Sequence, residues 1–143
     1  YLRNAEVSDF RNIGTMANGA RSYVGGIIGI ADNSSVSGCT AICKVGGSSA
    51  GSEIYSGGGI VGILWAGSSC DKCAYFGDIT SLTTKAGETS GSVAGSTAAG
   101  TKITGCKFGG TVLGSTVTES NCSSFVAGDG NAAVSSCVYW NGK

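Results

Sequence analysis

Gly26-Ile27-Ile28-Gly29 returns as Gly59-Ile60-Val61-Gly62, Ser92-Val93-Ala94-Gly95 and Phe125-Val126-Ala127-Gly128, and the closing glycines stand at 29, 62, 95 and 128. The spacing is 33 residues each time. A second landmark follows each copy: Val36-Ser37-Gly38-Cys39, Cys70-Asp71-Lys72-Cys73, Ile103-Thr104-Gly105-Cys106 and Val134-Ser135-Ser136-Cys137. Its cysteine comes 9 to 11 residues after the glycine, so the register holds along the chain. A fixed period of this length marks a stacked repeat. The second copy, inside Gly57-Gly58-Gly59-Ile60-Val61-Gly62, also spells G-x-G-x-x-G. That fingerprint cradles a pyrophosphate only where it follows a strand and opens a helix. Here Ile63-Leu64-Trp65-Ala66-Gly67-Ser68-Ser69-Cys70 follows, which does not propagate a helix. The glycines belong to the repeat, and no nucleotide cofactor is expected.

Composition narrows the class. The chain has 143 residues, one domain's worth, with 26 glycines, no proline and only 13% charged residues, yet 41% are hydrophobic, too many for disorder. The formal charge is zero and basic residues do not cluster, so neither nucleic acid nor an anionic membrane is an expected partner. The apolar stretches 24–31 and 60–66 fall far short of the about 20 residues that span a bilayer. The chain opens at Tyr1 without a signal-like segment, as a mature or excised chain would.

Recurrent Gly and Ser exclude helical repeats. After each landmark cysteine the residues alternate, as in Cys73-Ala74-Tyr75-Phe76-Gly77-Asp78-Ile79 and Cys106-Lys107-Phe108-Gly109-Gly110-Thr111-Val112, and period two means strand. The Gly-rich stretches 23–30 and 55–65 predict a second strand per repeat, and 51–54, 83–89 and 114–120 a weaker third. Three strands per 33 residues, none able to bury a face alone, predict an all-β parallel β-solenoid (β-helix) of about four rungs, wound right-handed by the crossover rule. The single domain 1–143 divides into a partial repeat 1–16 and repeats at about 17–49, 50–82, 83–115 and 116–143. Gly29, Gly62, Gly95 and Gly128 form a row where the backbone bends or opposite walls approach.

The G-φ-φ-G element followed by [VI]-x-x-C and C-x-φ-x-G-x-[VI] resembles the GLUG-type repeats of bacterial cell-surface and secreted proteins. The likeness covers nearly the whole chain. It decays toward the C-terminus, where Ser92 and Phe125 replace the first glycine and Ala94 and Ala127 the branched residue. The resemblance implies an extracellular β-rich stalk or adhesin module without catalytic residues.

Cys39, Cys73, Cys106 and Cys137 share one repeat position, and Phe10 fills it in Val7-Ser8-Asp9-Phe10-Arg11-Asn12-Ile13-Gly14-Thr15-Met16. A phenylalanine there predicts an interior, apolar column of thiols, whose neighbours are close enough to bridge. Cys43, Cys70 and Cys122 lie off the column, and the odd total of seven leaves at least one thiol free or paired between chains. Cys39, Cys43, Cys70 and Cys73 have loosely zinc-like spacing, but the repeat explains two of them and the chain has no histidine, so no metal is expected. Catalysis is not expected either: the nine acids are scattered over different repeat positions, and no nucleophile, base and orienting group form a set. An ice-binding threonine rank is broken by Lys44 and Asp78 between Thr15 and Thr111. Trp65 and Trp140 are candidates for stacking on sugars, whereas Tyr75 and Tyr139 fall on the inward phase.

Both ends fall in the same half of the repeat, Val7 to Met16 matching Val36 to Val45, and Cys137-Val138-Tyr139-Trp140-Asn141-Gly142-Lys143 closing the sequence. A bare last rung is a template for another chain. The expectation is an extracellular structural protein stacking head to tail as a homopolymer, with Leu2, Val7, Phe10, Val138 and Trp140 at the joint. The alternative is an adhesin or glycan-binding module, bound to glycans or a host surface and excised from a longer repeat protein. A polysaccharide-active enzyme ranks below both.

Overall fold

The structure, a computed structural model, describes residues 1–18, 22–47, 54–80 and 89–143. It is an all-β parallel solenoid of about four turns. Four walls climb it. Wall A stacks Leu2–Arg3, Ile28–Asp32, Val61–Leu64 and Ala94–Thr97; wall B stacks Glu6–Ser8, Ser35–Ser37, Ser69–Asp71, Lys102–Thr104 and Ala133–Ser135. Wall C stacks Arg11–Asn18, Thr40–Gly47, Ala74–Thr80 and Lys107–Val112, then Val138–Tyr139, and wall D stacks Ser22–Gly25, Ile54–Gly58 and Thr89–Gly91. Val7 lies beside Val36, Val36 beside Cys70, Cys70 beside Ile103 and Ile103 beside Val134, so wall B's central column stays apolar through five rungs.

Three strands per rung were expected and four are present. The stretches 23–30 and 55–65 are each two strands meeting at a corner, because Gly26-Ile27 and Gly59-Ile60 turn the chain from wall D into wall A. Each corner is fixed from the rung stacked on it. The Ile60 carbonyl accepts from the N–H groups of Ile27 and Ile28, that of Val93 from Ile60 and Val61, and that of Val126 from Val93 and Ala94. The V-S-G segment ahead of the cysteine, read only as a landmark, is itself the short wall B strand. Of the weaker third strand, 51–53 and 83–88 lie outside the described residues. Its 114–120 copy folds back as Ser115–Val117, antiparallel to Lys107–Val112, because Leu113 and Gly114 both take positive φ and reverse the chain.

The glycine row lets two walls approach. A Cβ on Gly62 would sit 2.5 Å from the Gly29 carbonyl oxygen and 2.8 Å from the Val24 nitrogen, and one on Gly95 2.7 Å from the Gly57 nitrogen. These are backbone atoms that cannot yield, so walls A and D close to a distance only glycine permits. The Ser56 hydroxyl then donates across the gap to the Gly62 carbonyl at 2.7 Å.

Left-handed corners were not anticipated. Asp9, Gly38, Lys72, Gly105 and Ser136, each one residue before Phe10 or a column cysteine, all have φ between 51° and 62°. The bend between walls B and C therefore repeats in every rung, although glycine supplies it in only two. Between walls A and B the bend carries a buried hydroxyl column: Ser34 Oγ accepts from the Ala5 N–H, Ser68 Oγ accepts from the Ser34 N–H, and Thr101 caps the Ala98 carbonyl. These side chains satisfy backbone groups that no strand pairing reaches.

The core fills the rungs unevenly. Tyr75 and Phe108, both fully buried, share a column with Ala41, and the Tyr75 hydroxyl donates to the Cys43 carbonyl at 3.2 Å. Small neighbours make room, since a Cβ on Gly59 would collide with the Tyr75 ring. Gly62→Ala is expected to cost about 3 kcal/mol, the upper end for overpacking because backbone is what obstructs it. Urea denaturation measures this; an unchanged midpoint would mean that walls A and D are free to separate.

Candidate functional site

The proposed cysteine column is present and closed in the middle. Cys39, Cys73 and Cys106 have no solvent exposure, and each thiol donates to the carbonyl two residues back, at 3.3 to 3.6 Å. Cys70, assigned off the column, reaches it from wall B and places its sulfur 4.0 Å from that of Cys106. The repeat carries the signal for this, since Cys70 replaces Val36 in an inward slot. All seven cysteines are unbridged. Among the described residues no three His, Cys, Asp or Glu side chains are arranged to hold a metal ion.

The column opens at both ends, and here two expectations are corrected. Phe10, read as interior, is 55% exposed, because no further rung lies against the first one. Cys137 is half-buried at the opposite end, and Tyr139, placed in the core by its phase, is 37% exposed for the same reason. The thiols differ accordingly. Burial pushes Cys43 up to about 11 and raises Cys39. A hydrogen bond from Cys106 draws Cys137 down to about 7 against the opposing pull of burial, while hydrogen bonds to Cys137, Cys70 and Cys73 push Cys106 far above the thiol range.

Both end faces expose apolar side chains. At the first rung Val7, Phe10, Ile27 and Ile28 line an apolar cavity of about 200 Å³, with Leu2 half-buried beside them on wall A and Ile13 exposed on wall C. The last rung presents Val134, Val138 and Tyr139, and a cavity of about 380 Å³ lined by Glu119, Cys122, Cys137, Val138 and Tyr139. The backbone edges of Glu6–Ser8 and Ala133–Ser135 are the unpaired outer edges of wall B. Of the five residues assigned to a joint, Leu2, Val7, Phe10 and Val138 lie on these faces. Trp140 does not: its ring packs edge-on against Phe76 at 6.2 Å between centroids, under the Lys107 ammonium at 4.9 Å, on the outer side of wall C.

Trp65, the other aromatic candidate, is 41% exposed and meets Tyr1 edge-on at 6.3 Å. The Tyr1 hydroxyl donates to Asp32 at 2.7 Å, and Arg3 pairs with the same carboxylate at 3.3 Å. Asp129 is occupied structurally, accepting from the Thr97 N–H at 2.8 Å, the Thr97 hydroxyl at 2.6 Å and the Ser96 hydroxyl at 2.7 Å, which ties the last turn of wall A to the rung before it.

Comparison of the chain with protein-family models, curated proteins and solved structures finds no match. Among the described residues no helix is long and apolar enough to cross a membrane.

Two predictions follow from the packing. Cys106→Ala is expected to cost about 1 kcal/mol, on the scale of small buried deletions, and Cys106→Asp to prevent folding by burying an unpaired charge. Circular dichroism of the two variants checks this, and a folded Asp variant would place the column in solvent. For Asp129, burial opposes the charge, but the hydrogen bonds from Thr97 and Ser96 outweigh it and hold the carboxyl below its ordinary value. Its contribution is thus complete above the unfolded-state pKa of about 3.9 and is lost as pH falls through the lower folded value. Asp129→Asn is expected to flatten the acid limb of the stability curve, measured by denaturation between neutral pH and pH about 3.

Proposed function

We propose that the protein is an extracellular structural element that assembles head to tail, the last rung of one copy stacking on the first rung of the next. The observation that carries this reading is the complementarity of the end faces. Extending the wall B register by one rung sets Ala133–Ser135 beside Glu6–Ser8 of a second copy, Val134 meeting Val7 in a column already apolar from Val7 to Val134. The same step puts Cys137 beside Phe10, continuing the thiol column into the aromatic side chain that begins it. Exposed Val138 and Tyr139 are then covered by wall C residues of the second copy. Such a contact is heterologous and does not close, so it propagates as a filament. Zero net charge sets no long-range repulsion against it.

The extracellular placement rests on the resemblance to GLUG-type surface repeats and on a composition suited to a passive fibre. A second reading, a glycan-binding adhesin module, is favoured by one feature, the exposed Trp65 beside Tyr1, Asp32 and Arg3. That cluster combines a stacking face with polar groups able to hold hydroxyls. It lies on the side of the solenoid, so glycan binding and end-to-end stacking are compatible.

Light scattering over a concentration series tests the assembly. The unmodified chain is expected to grow with concentration, and Val134→Asp, whose side chain is already partly exposed, to remain a monomer with an unchanged β-sheet spectrum. An unmodified chain that stays monomeric at every concentration would overturn the stacking reading.

A further inference from the structure

Seven thiols sort into two classes. Five, at Cys39, Cys43, Cys70, Cys73 and Cys106, are buried; Cys122 and Cys137 are half-buried, and both line the same 380 Å³ cavity at the last rung. Cys122 opens the 3-10 turn Cys122–Phe125, which packs against the strand Val138–Tyr139 that Cys137 precedes. Both sulfurs point along carbonyls rather than into a locked pair: Cys122 donates to Glu119 at 3.6 Å, and Cys137 donates weakly to Ser135 at 3.6 Å and Ile103 at 3.9 Å. We infer that Cys122 and Cys137 are a redox pair that closes into a disulfide and staples the final coil of the solenoid.

The topology gives the bond its meaning. Between the two cysteines the chain passes through Val126 and Ala127, which pair with the rung before them at the wall A corner, and then along wall B at Ala133–Ser135. A bond from the turn to the corner before wall C therefore turns the last coil into a covalent ring. Like the first coil, this coil has pairing partners on one side only, so it is one of the two places where the solenoid frays. The internal coils are held from both sides.

Chemistry selects this pair over the neighbouring one. Cys106 stacks directly against Cys137, but it is sealed from solvent and its thiol stays protonated, which makes it a poor nucleophile. Cys137 has an open cavity beside it, and a hydrogen bond from Cys106 draws its thiol toward the thiolate. With a small-molecule disulfide such as oxidised glutathione as the oxidant, the Cys137 thiolate attacks one sulfur, and one glutathione thiolate leaves. The Cys122 thiolate then attacks the Cys137 sulfur and expels the second. Two electrons pass from the protein to glutathione. The two protons released by the protein thiols appear on the two glutathione molecules.

Neither step requires a second copy of the chain, but stacking would cover Cys137, so the oxidation is run on dilute, monomeric protein. The test is to incubate the reduced full chain with excess oxidised glutathione, quench in acid, block remaining thiols with N-ethylmaleimide under denaturing conditions, digest, and map bridges by mass spectrometry. The expected result is the loss of two of the seven thiols, one intramolecular bridge joining Cys122 to Cys137, and a higher thermal midpoint that returns to its starting value on reduction. Cys122→Ser is expected to stop at a glutathione adduct on Cys137. A bridge from Cys137 to Cys106, a bridge between two chains, or seven thiols still open to blocking would each overturn the assignment. Filament formation that fails while the bridge forms would count against stacking alone.

Discussion

Parallel, in-register hydrogen bonding between successive coils is the constraint on which everything else in this molecule rests. Each internal strand finds its partners about 4.8 Å above and below, so whatever a repeat position does once it must do in every rung. An inward slot stays apolar from Val7 through Cys70 to Val134, and a left-handed corner stays left-handed from Asp9 to Ser136. Glycine is required where two walls meet, and the row from Gly29 to Gly128 meets that requirement. Local preference is subordinate. Lys72 adopts a backbone conformation unfavourable for it because the coils on either side impose it, and Asp9 follows the one coil stacked on it.

The same constraint explains what could be read from the sequence. The period, the parallel solenoid, the cysteine column and the glycine row all follow from recurrence, which survives substitution of individual residues. The number of strands per rung did not follow, because Gly26-Ile27 and Gly59-Ile60 look like the middle of an apolar strand while serving as corners. Hydropathy alternation does not register a bend between two buried strands. The short wall B strand was hidden as well, since three residues are too few to show a period.

Burial at the ends departs from the repeat phase for a related reason. Phase assigns a side chain to the inside of a coil, and Phe10 and Tyr139 do point along inward columns. Whether such a residue is covered depends on the presence of another coil beyond it, which phase does not encode. The residues that depart from their expected burial are therefore the ones at the open faces, where the candidate joint and the accessible thiols are found. Cys122, by contrast, belongs to no column and carried no signal in the repeat; only the folding of the last turn brings it to the cavity of Cys137.

The paired sizes of Tyr75 and Gly59 bear on how this molecule can change over time. A tandem repeat invites duplication and loss of whole units, since recombination between similar copies is easy at the level of genes. In this chain the units are not equivalent: the ring of Tyr75 fills volume released by Gly59 and Ala41, and the copies before and after it carry different shapes at the same heights. Copying the Tyr75 rung one level down would put a ring where Ala41 now stands, in volume the surrounding coil does not release. The coils share a backbone and differ in contour, so lengthening the solenoid by copying an internal unit requires compensating substitutions in its new neighbours.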